Sequence, residues 1–211
     1  IQQGTSDVCR PGMAALLMSW GYAVFLPHRR GYGNSTGPPW RAEVPSEFGT
    51  AEYDRQLAER LGRESDDVLA ALDVLARCPE IRAERVGVLG SSFGGTVSLL
   101  AAGRSPRVRC AVDFAGAAMN WERTPTLRDT MLTAARETRV PIALVQAAND
   151  YSTAPTRELA AELARLEKPH AARVFPPFGL THDEGHLFAW TGALVWGPFV
   201  RAFLDAWLRE G

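Results

Sequence analysis

Val86-Gly87-Val88-Leu89-Gly90-Ser91-Ser92-Phe93-Gly94-Gly95 is the stretch on which the fold turns. An apolar run of strand length passes without a break into a G-x-S-x-G, and a helical pattern follows over residues 96–102. A change from strand to helix in so few residues needs a sharp turn whose central residue takes a strained backbone conformation. The flanking positions come close together there, and residues without side chains fit: Gly90 and Gly94 stand two positions either side of Ser92. Such a turn exposes the Ser92 hydroxyl above the sheet. It also points the Phe93 N–H at the same space, beside a helix N-terminus that favours negative charge. Ser91 is the competing serine, but it lacks a glycine at both matching offsets. The bare pattern also occurs in Gly/Ser-rich loops; the strand before it and the helix after it favour a nucleophile.

Outward from this turn, short apolar runs alternate with helical patterns. Upstream, residues 13–20 read as a short helix between Pro11-Gly12 and Gly21, and residues 22–26 as a strand closed by Pro27. Residues 28–51 form a long loop rich in Gly, Pro and Ser, and long loops inside compact domains are more often functional than accidental. Leu57, Leu61, Val68, Leu72 and Leu75 then share one face of a long helix that ends before Pro79. Downstream, strands are expected over 108–115, 140–146 and 173–175, with helices over 122–138 and 153–167 and a final one carrying Trp196, Val200, Phe203, Leu204, Trp207 and Leu208. The five strands are apolar on both faces and separated by helices, the signature of a mostly parallel sheet with helices on both faces. The fold class is α/β, and residues 1–211 read as a single domain.

Composition sets the outer limits. The chain has 211 residues, 46% hydrophobic and 22% charged, with a net charge of -1. That balance offers no footprint for nucleic acid or an anionic membrane. No stretch approaches the ~18 uninterrupted apolar residues of a membrane helix, and the start of the chain lacks a secretory pattern. Cys9, Cys78 and Cys110 are scattered singletons without metal-type spacing. They read as reduced thiols of a reducing compartment, so a cytoplasmic location is expected.

A serine nucleophile needs a base, and the base an orienting carboxylate. His28 ends an apolar run and His170 follows Lys168-Pro169, which suits loop-anchoring and solvated roles. His182 and His186 lie together after the last expected strand. His186 is favoured: Gly185 lets the backbone bring it close, and Leu187-Phe188 would anchor it from the far side. His182, flanked by Asp183 and Glu184, remains the alternative. For the acid, Asp150 stands just past the carboxyl end of a strand, where catalytic groups of open α/β sheets collect. Asp113 is the rival, but it lies within a strand and could be a buried structural carboxylate. The order Ser92, Asp150, His186 is that of an α/β-hydrolase.

These motifs together resemble the dienelactone hydrolase and prolyl-oligopeptidase-like branch of the α/β-hydrolases. The resemblance rests on Gly21-Tyr22-Ala23-Val24, Arg29-Arg30-Gly31-Tyr32-Gly33-Asn34-Ser35-Thr36-Gly37, the Gly-Ser-Ser-Phe-Gly-Gly turn, Asn149-Asp150 and Glu184-Gly185-His186. Dienelactone hydrolases proper carry cysteine as nucleophile, whereas Ser92 stands here, which favours an ordinary esterase; the propeller of prolyl oligopeptidases is absent. The resemblance also implies strands before residue 13 and a His-Gly segment that supplies a second oxyanion donor. The chain starts at Ile1 in what reads as the middle of a loop, so an N-terminally shortened fold is expected. Tyr32 is a weak candidate for a substitute donor. Lids of this fold usually precede the acid-bearing strand. Residues 116–139 are too few for a large one, so an open site is expected.

Tyr32, Trp121 and Tyr151, with Met119 and Trp40, are candidate apolar walls for substrate, although packing explains each as well. Arg29 and Arg30 suit loop-anchoring salt bridges. The expected activity is two-step hydrolysis of a small carboxylic ester: Ser92 attacks, His186 moves the proton, Asp150 orients the imidazole, and the Phe93 N–H holds the oxyanion. Neither metal nor organic cofactor is required. The alternatives are a small serine peptidase or amidase, and a hydrolase-fold binding module without catalysis.

Overall fold

The computed structural model describes residues 11–209; Cys9 and the stretch beginning at Ile1 lie outside the described residues. The chain opens with α1 (Pro11–Ser19), a short α2 (Trp40–Glu43) and the long α3 (Ala51–Leu75). Thr50 caps α3, its Oγ1 accepting the Tyr53 N–H at 3.1 Å. A single 3-10 turn, Ala83–Arg85, leads into β1 (Val86–Ser91), and α4 (Phe93–Arg104) follows after one residue. Next come β2 (Val108–Phe114), a 3-10 turn at Trp121–Arg123, α5 (Pro125–Glu137), β3 (Ile142–Ala147) and α6 (Ala154–Arg165). The remainder is β4 (His170–Phe175), α7 (His182–His186), α8 (Phe188–Thr191) and α9 (Ala193–Leu208).

The strands form one parallel sheet in the order β1-β2-β3-β4. Their unbroken apolar runs follow from serving two cores at once. Val88, Ala111, Ile142 and Leu144 face a core shared with α3, α4, α5 and α6. Leu89, Cys110, Val112, Phe114, Ala143 and Val145 face the other, shared with α1, α8 and α9. Residues adjacent along each strand thus alternate between two dry layers. Because all four strands run the same way, the residues after β1, β3 and β4 gather at one edge of the sheet, where sites of open α/β sheets assemble.

One expected strand is corrected. Residues 22–26 are not a strand, so among the described residues the sheet has four strands and not five. An apolar run becomes a strand only when another backbone lies within hydrogen-bond reach. Here Tyr22 and Val24 share the lining of a cavity of about 690 Å³ with Val88 and Leu89 of β1, and no ladder joins the two segments.

The loop ahead of α3 is held by charge. Arg60 is fully buried and donates to Glu64 at 2.7 Å, to the Pro38 carbonyl at 3.1 Å and to the Arg30 carbonyl at 2.5 Å, and it also pairs with Glu43. Arg29 pairs with Glu64 at 2.8 Å and Arg30 with Asp67 at 2.7 Å, the anchoring role expected for both. Residues 116–139 place α5 against α3, α4 and α6, leaving no large lid. Cys78 and Cys110 are free thiols. Among the described residues, no helix is long and apolar enough to cross a membrane.

Candidate active site

Ser92 occupies the one-residue gap between β1 and α4 with a φ of 57°. Left-handed backbone is disfavoured for any residue with a β-carbon and persists only where surroundings over-determine it. Two hydrogen bonds do so: the Ser92 N–H donates to the Phe114 carbonyl at 2.9 Å, and its own carbonyl accepts the Thr96 N–H at 3.1 Å. The first extends the β1–β2 ladder one residue past the strand; the second starts α4. As the first residue of α4, Phe93 presents an N–H that has no intrahelical acceptor by position. Its ring is buried against Trp40, centroids 5.8 Å apart.

His186 reaches Ser92 from α7. Its Nε2 lies 3.0 Å from the Ser92 Oγ, and its Nδ1 lies 2.9 Å from the Asp150 Oδ1. An ionised carboxylate only accepts, so Nδ1 carries the proton and Nε2 is left to accept the Ser92 O–H. The Asp150 side chain is fully enclosed, with its oxygens held by three partners. Besides His186, Oδ1 accepts the Tyr151 N–H at 2.7 Å, and Oδ2 accepts from Gln146 Nε2 at 2.8 Å. Gln146 Nε2 also donates to the Ser152 carbonyl at 2.7 Å, fixing the turn after β3.

The two loops that must meet are stapled together. Asn149 donates through Nδ2 to the carbonyls of Phe178 at 2.9 Å and Thr181 at 2.8 Å, and its Oδ1 accepts the Phe178 N–H at 2.8 Å. A capping box starts α7, with Thr181 Oγ1 accepting the Glu184 N–H and Glu184 reaching back to the Thr181 N–H. The Leu180 N–H, with the Thr181 hydroxyl and the Thr181 N–H, holds the Glu184 carboxyl below its usual range. Gly185 is required by contact: a β-carbon there would lie 2.8 Å from the Asn149 carbonyl carbon and the Asp150 N.

The structure therefore joins Ser92, His186 and Asp150 in one hydrogen-bonded chain. His182 is exposed, turned to the Asn149 carbonyl at 3.0 Å and stacked on Tyr151 at 5.7 Å. Asp113 is buried in β2 and bonds to the Gly116 N–H at 2.8 Å, away from the histidine. Phe188 is buried and anchors α7, but Leu187 is exposed and does not. Tyr151 remains at the mouth, half exposed, its ring edge-on to His186 at 5.6 Å.

Two candidate walls move. Tyr32 is buried between the guanidinium groups of Arg29 and Arg60, at 5.1 Å and 5.8 Å from its ring centre. The charge anchor of the long loop encloses it, so it is neither wall nor oxyanion donor. Trp121 is 1% exposed in the core, with Arg128 over its ring at 5.6 Å. Gln146 and the Asn149 staple escaped the sequence reading. The available signal was that Gln146 is the one polar side chain in β3, and a polar residue in a doubly buried strand needs a partner.

A search of curated proteins found no match. Solved structures share the fold. An esterase of Pyrococcus furiosus matches with a TM-score of 0.68 at 16% identity, over 98% of this chain and 81% of that one. The acylaminoacyl peptidase of Pyrococcus horikoshii matches with a TM-score of 0.58 at 17% identity, over 76% of this chain. A puromycin-hydrolyzing peptidase of Mycobacterium tuberculosis matches with a TM-score of 0.59 at 20% identity, over 75% of this chain. The chain spans 30% of the first peptidase and 27% of the second. The model of the dienelactone hydrolase family matches residues 10–190. With that match over most of its length and the sheet and turn described above, the chain belongs to the dienelactone hydrolase family, a hydrolase family of the α/β-hydrolase fold.

Proposed function

We propose that the protein is a serine-dependent hydrolase of small carboxylic esters that works through an acyl-enzyme. The observation that carries this reading is the chain from the Ser92 Oγ through His186 to Asp150, at 3.0 Å and 2.9 Å, set at the head of α4. His186 Nε2 takes the Ser92 proton as Oγ attacks the ester carbonyl, and the Phe93 N–H donates to the oxygen that gains the charge. Asp150 holds Nδ1–H and stabilises the imidazolium. As the tetrahedral adduct collapses, the alcohol leaves with the proton from Nε2. A water deprotonated by His186 then attacks the acyl-enzyme, and the acid is released with Ser92 restored.

The half-exposed Tyr151 beside His186 and the absence of a large lid suit a small substrate entering from solvent. A solved esterase with this fold is matched over most of both lengths. The peptidases are far longer, and the chain spans only part of each.

Initial rates on short p-nitrophenyl esters and on aminoacyl p-nitroanilides, measured side by side, test the reading. Ester turnover should dominate and vanish in Ser92→Ala, and a fluorophosphonate probe should label the native protein but not that variant. Amide turnover in excess of ester turnover would assign a peptidase. A folded native protein that resists the probe would leave a binding module.

A further inference from the structure

A buried carboxyl lies directly beneath the reactive turn, and the mechanism above does not use it. Asp113 is 3% exposed in β2, in register with Gly90, two residues before Ser92. A β-carbon on Gly95, in the first turn of α4, would lie 2.1 Å from Asp113 Oδ1, and one on Gly116 would lie 2.5 Å from both oxygens. The carboxyl therefore fills the space that two glycines leave open. One is in α4 and the other lies just after β2, in a turn where Ala115 and Ala117 hold φ values of 56° and 57°. Together with Ser92, three residues carrying β-carbons hold left-handed backbone around this group.

The surroundings of the carboxyl are nearly bare of charge. Oδ1 accepts the Gly116 N–H at 2.8 Å. The strand neighbours in register are Gly90 of β1 and Leu144 of β3, and α4 presents Gly95. No cation or second carboxylate from these elements faces it, and burial is the dominant influence, with the Gly116 N–H opposing it.

We propose that Asp113 is a positioning residue that acts as a neutral acid: it props the Ser92 turn against the turn after β2 and leaves the N-terminal field of α4 to the reacting oxygen. This rests on the reading of Ser92 as nucleophile. The electrostatic argument is direct. The N–H groups at the head of α4 and the helix dipole favour an anion at the position of the developing oxyanion. An ionised Asp113 under the same turn would compete for that field and repel the oxyanion through a low-dielectric interior. Proton loss from Asp113 should thus slow the chemical step while the substrate still binds. Burial pushes this carboxyl from 3.8 up to about 7, so the change falls in an accessible range.

The experiment is the pH dependence of kcat on a p-nitrophenyl ester for the native enzyme and Asp113→Asn, which keeps an oxygen for the Gly116 N–H and cannot ionise. The acid limb of a histidine base is common to both. The ratio of native to Asp113→Asn kcat should fall roughly fivefold from pH 7 to pH 8, as a group titrating near 7 whose anion is inactive requires. KM should stay level, and Asp113→Asn should hold a plateau. A purely structural Asp113 would give two profiles of the same shape, which overturns the proposal while leaving the esterase reading intact. Loss of all turnover in the native protein would instead fail the esterase reading. If Asp113→Asn does not fold, infrared spectroscopy of the native protein decides the question. The carbonyl band of a buried protonated acid should be present at pH 6 and bleach by pH 8; a protein without that band at pH 6 refutes the proposal.

Discussion

Gln146 offers the sharpest test of how the site is held, because its two roles can be separated in one substitution. Its Nε2 donates to Asp150 Oδ2 at 2.8 Å and to the Ser152 carbonyl at 2.7 Å, while its buried Oε1 has no partner. Gln146→Met keeps the volume and removes both polar atoms. A hydrogen bond to a charged group contributes about 1.5–3 kcal/mol, and an unpaired buried polar atom costs about 1–3 kcal/mol. Relief of the unpaired Oε1 offsets only one of the two lost bonds, so stability should fall by about 1–3 kcal/mol in urea titration. The reaction has no such compensation. Asp150 keeps His186 and the Tyr151 N–H on Oδ1 but loses its side-chain donor on Oδ2. If 1.5–3 kcal/mol of orientation is lost in the transition state, kcat/KM falls roughly 10- to 100-fold. Gln146→Glu is the companion variant: it sets a second carboxyl against Asp150, where unit charges near 4 Å repel by about 4 kcal/mol at an effective dielectric of 20. The pair should then retain a proton, and activity should recover only as pH rises. A folded Gln146→Met protein with kcat/KM within twofold of native would show that backbone donors alone hold Asp150, and the reasoning would fail.

Three further outcomes are expected. Ser92→Gly and Ser92→Ala should both abolish turnover, but the glycine variant should be the more stable by about 1 kcal/mol, because the φ of 57° strains only a residue with a β-carbon; equal urea midpoints would argue against strain. Arg60→Ala leaves Glu64 at the centre of the loop anchor paired only with Arg29 and should lower stability by about 3–5 kcal/mol, read as a fall in denaturant midpoint. Gly185→Ala drives a β-carbon to 2.8 Å from the Asn149–Asp150 backbone; α7 must shift, and a displacement near 1 Å should lower kcat on the order of 100-fold with little change in thermal midpoint.

What could be read from the sequence was what local rules constrain. The turn at Ser92 announced itself because glycines at fixed offsets, a buried run before and a helix after leave few other conformations. Gly185 was legible for the same reason, as a close backbone approach. The rest depended on non-local facts. Residues 22–26 have the composition of a strand, yet strand formation needs a neighbour, and no ladder joins them to β1. Tyr32 and Trp121 suit pocket walls as aromatic rings in loops; whether a ring faces solvent or a guanidinium depends on packing that spacing does not show, here Arg60 from α3 over Tyr32 and Arg128 from α5 over Trp121. Asn149 enters the sequence reading only as part of the Asn149-Asp150 motif; its stapling role, like that of Gln146, is not legible because amides lack a spacing rule. Phe178 and Thr181, the partners of Asn149, are brought near only by the sheet, while Asp150 and Ser152, those of Gln146, are met across the turn after β3.

The order of strands carries one more consequence. Among the described residues the sheet ends on β1, the strand that delivers Ser92, and β1 has one hydrogen-bonded neighbour where an interior strand has two. The carboxylate, by contrast, follows β3, which is laddered on both sides, while the histidine lies in the segment after β4, the other edge of the sheet. Nucleophile and base are therefore both carried beyond edge strands, and only the carboxylate follows an interior one. The 3.0 Å contact from Ser92 to His186 joins the two flanks of the sheet, with Asp150 tying the imidazole back to its interior.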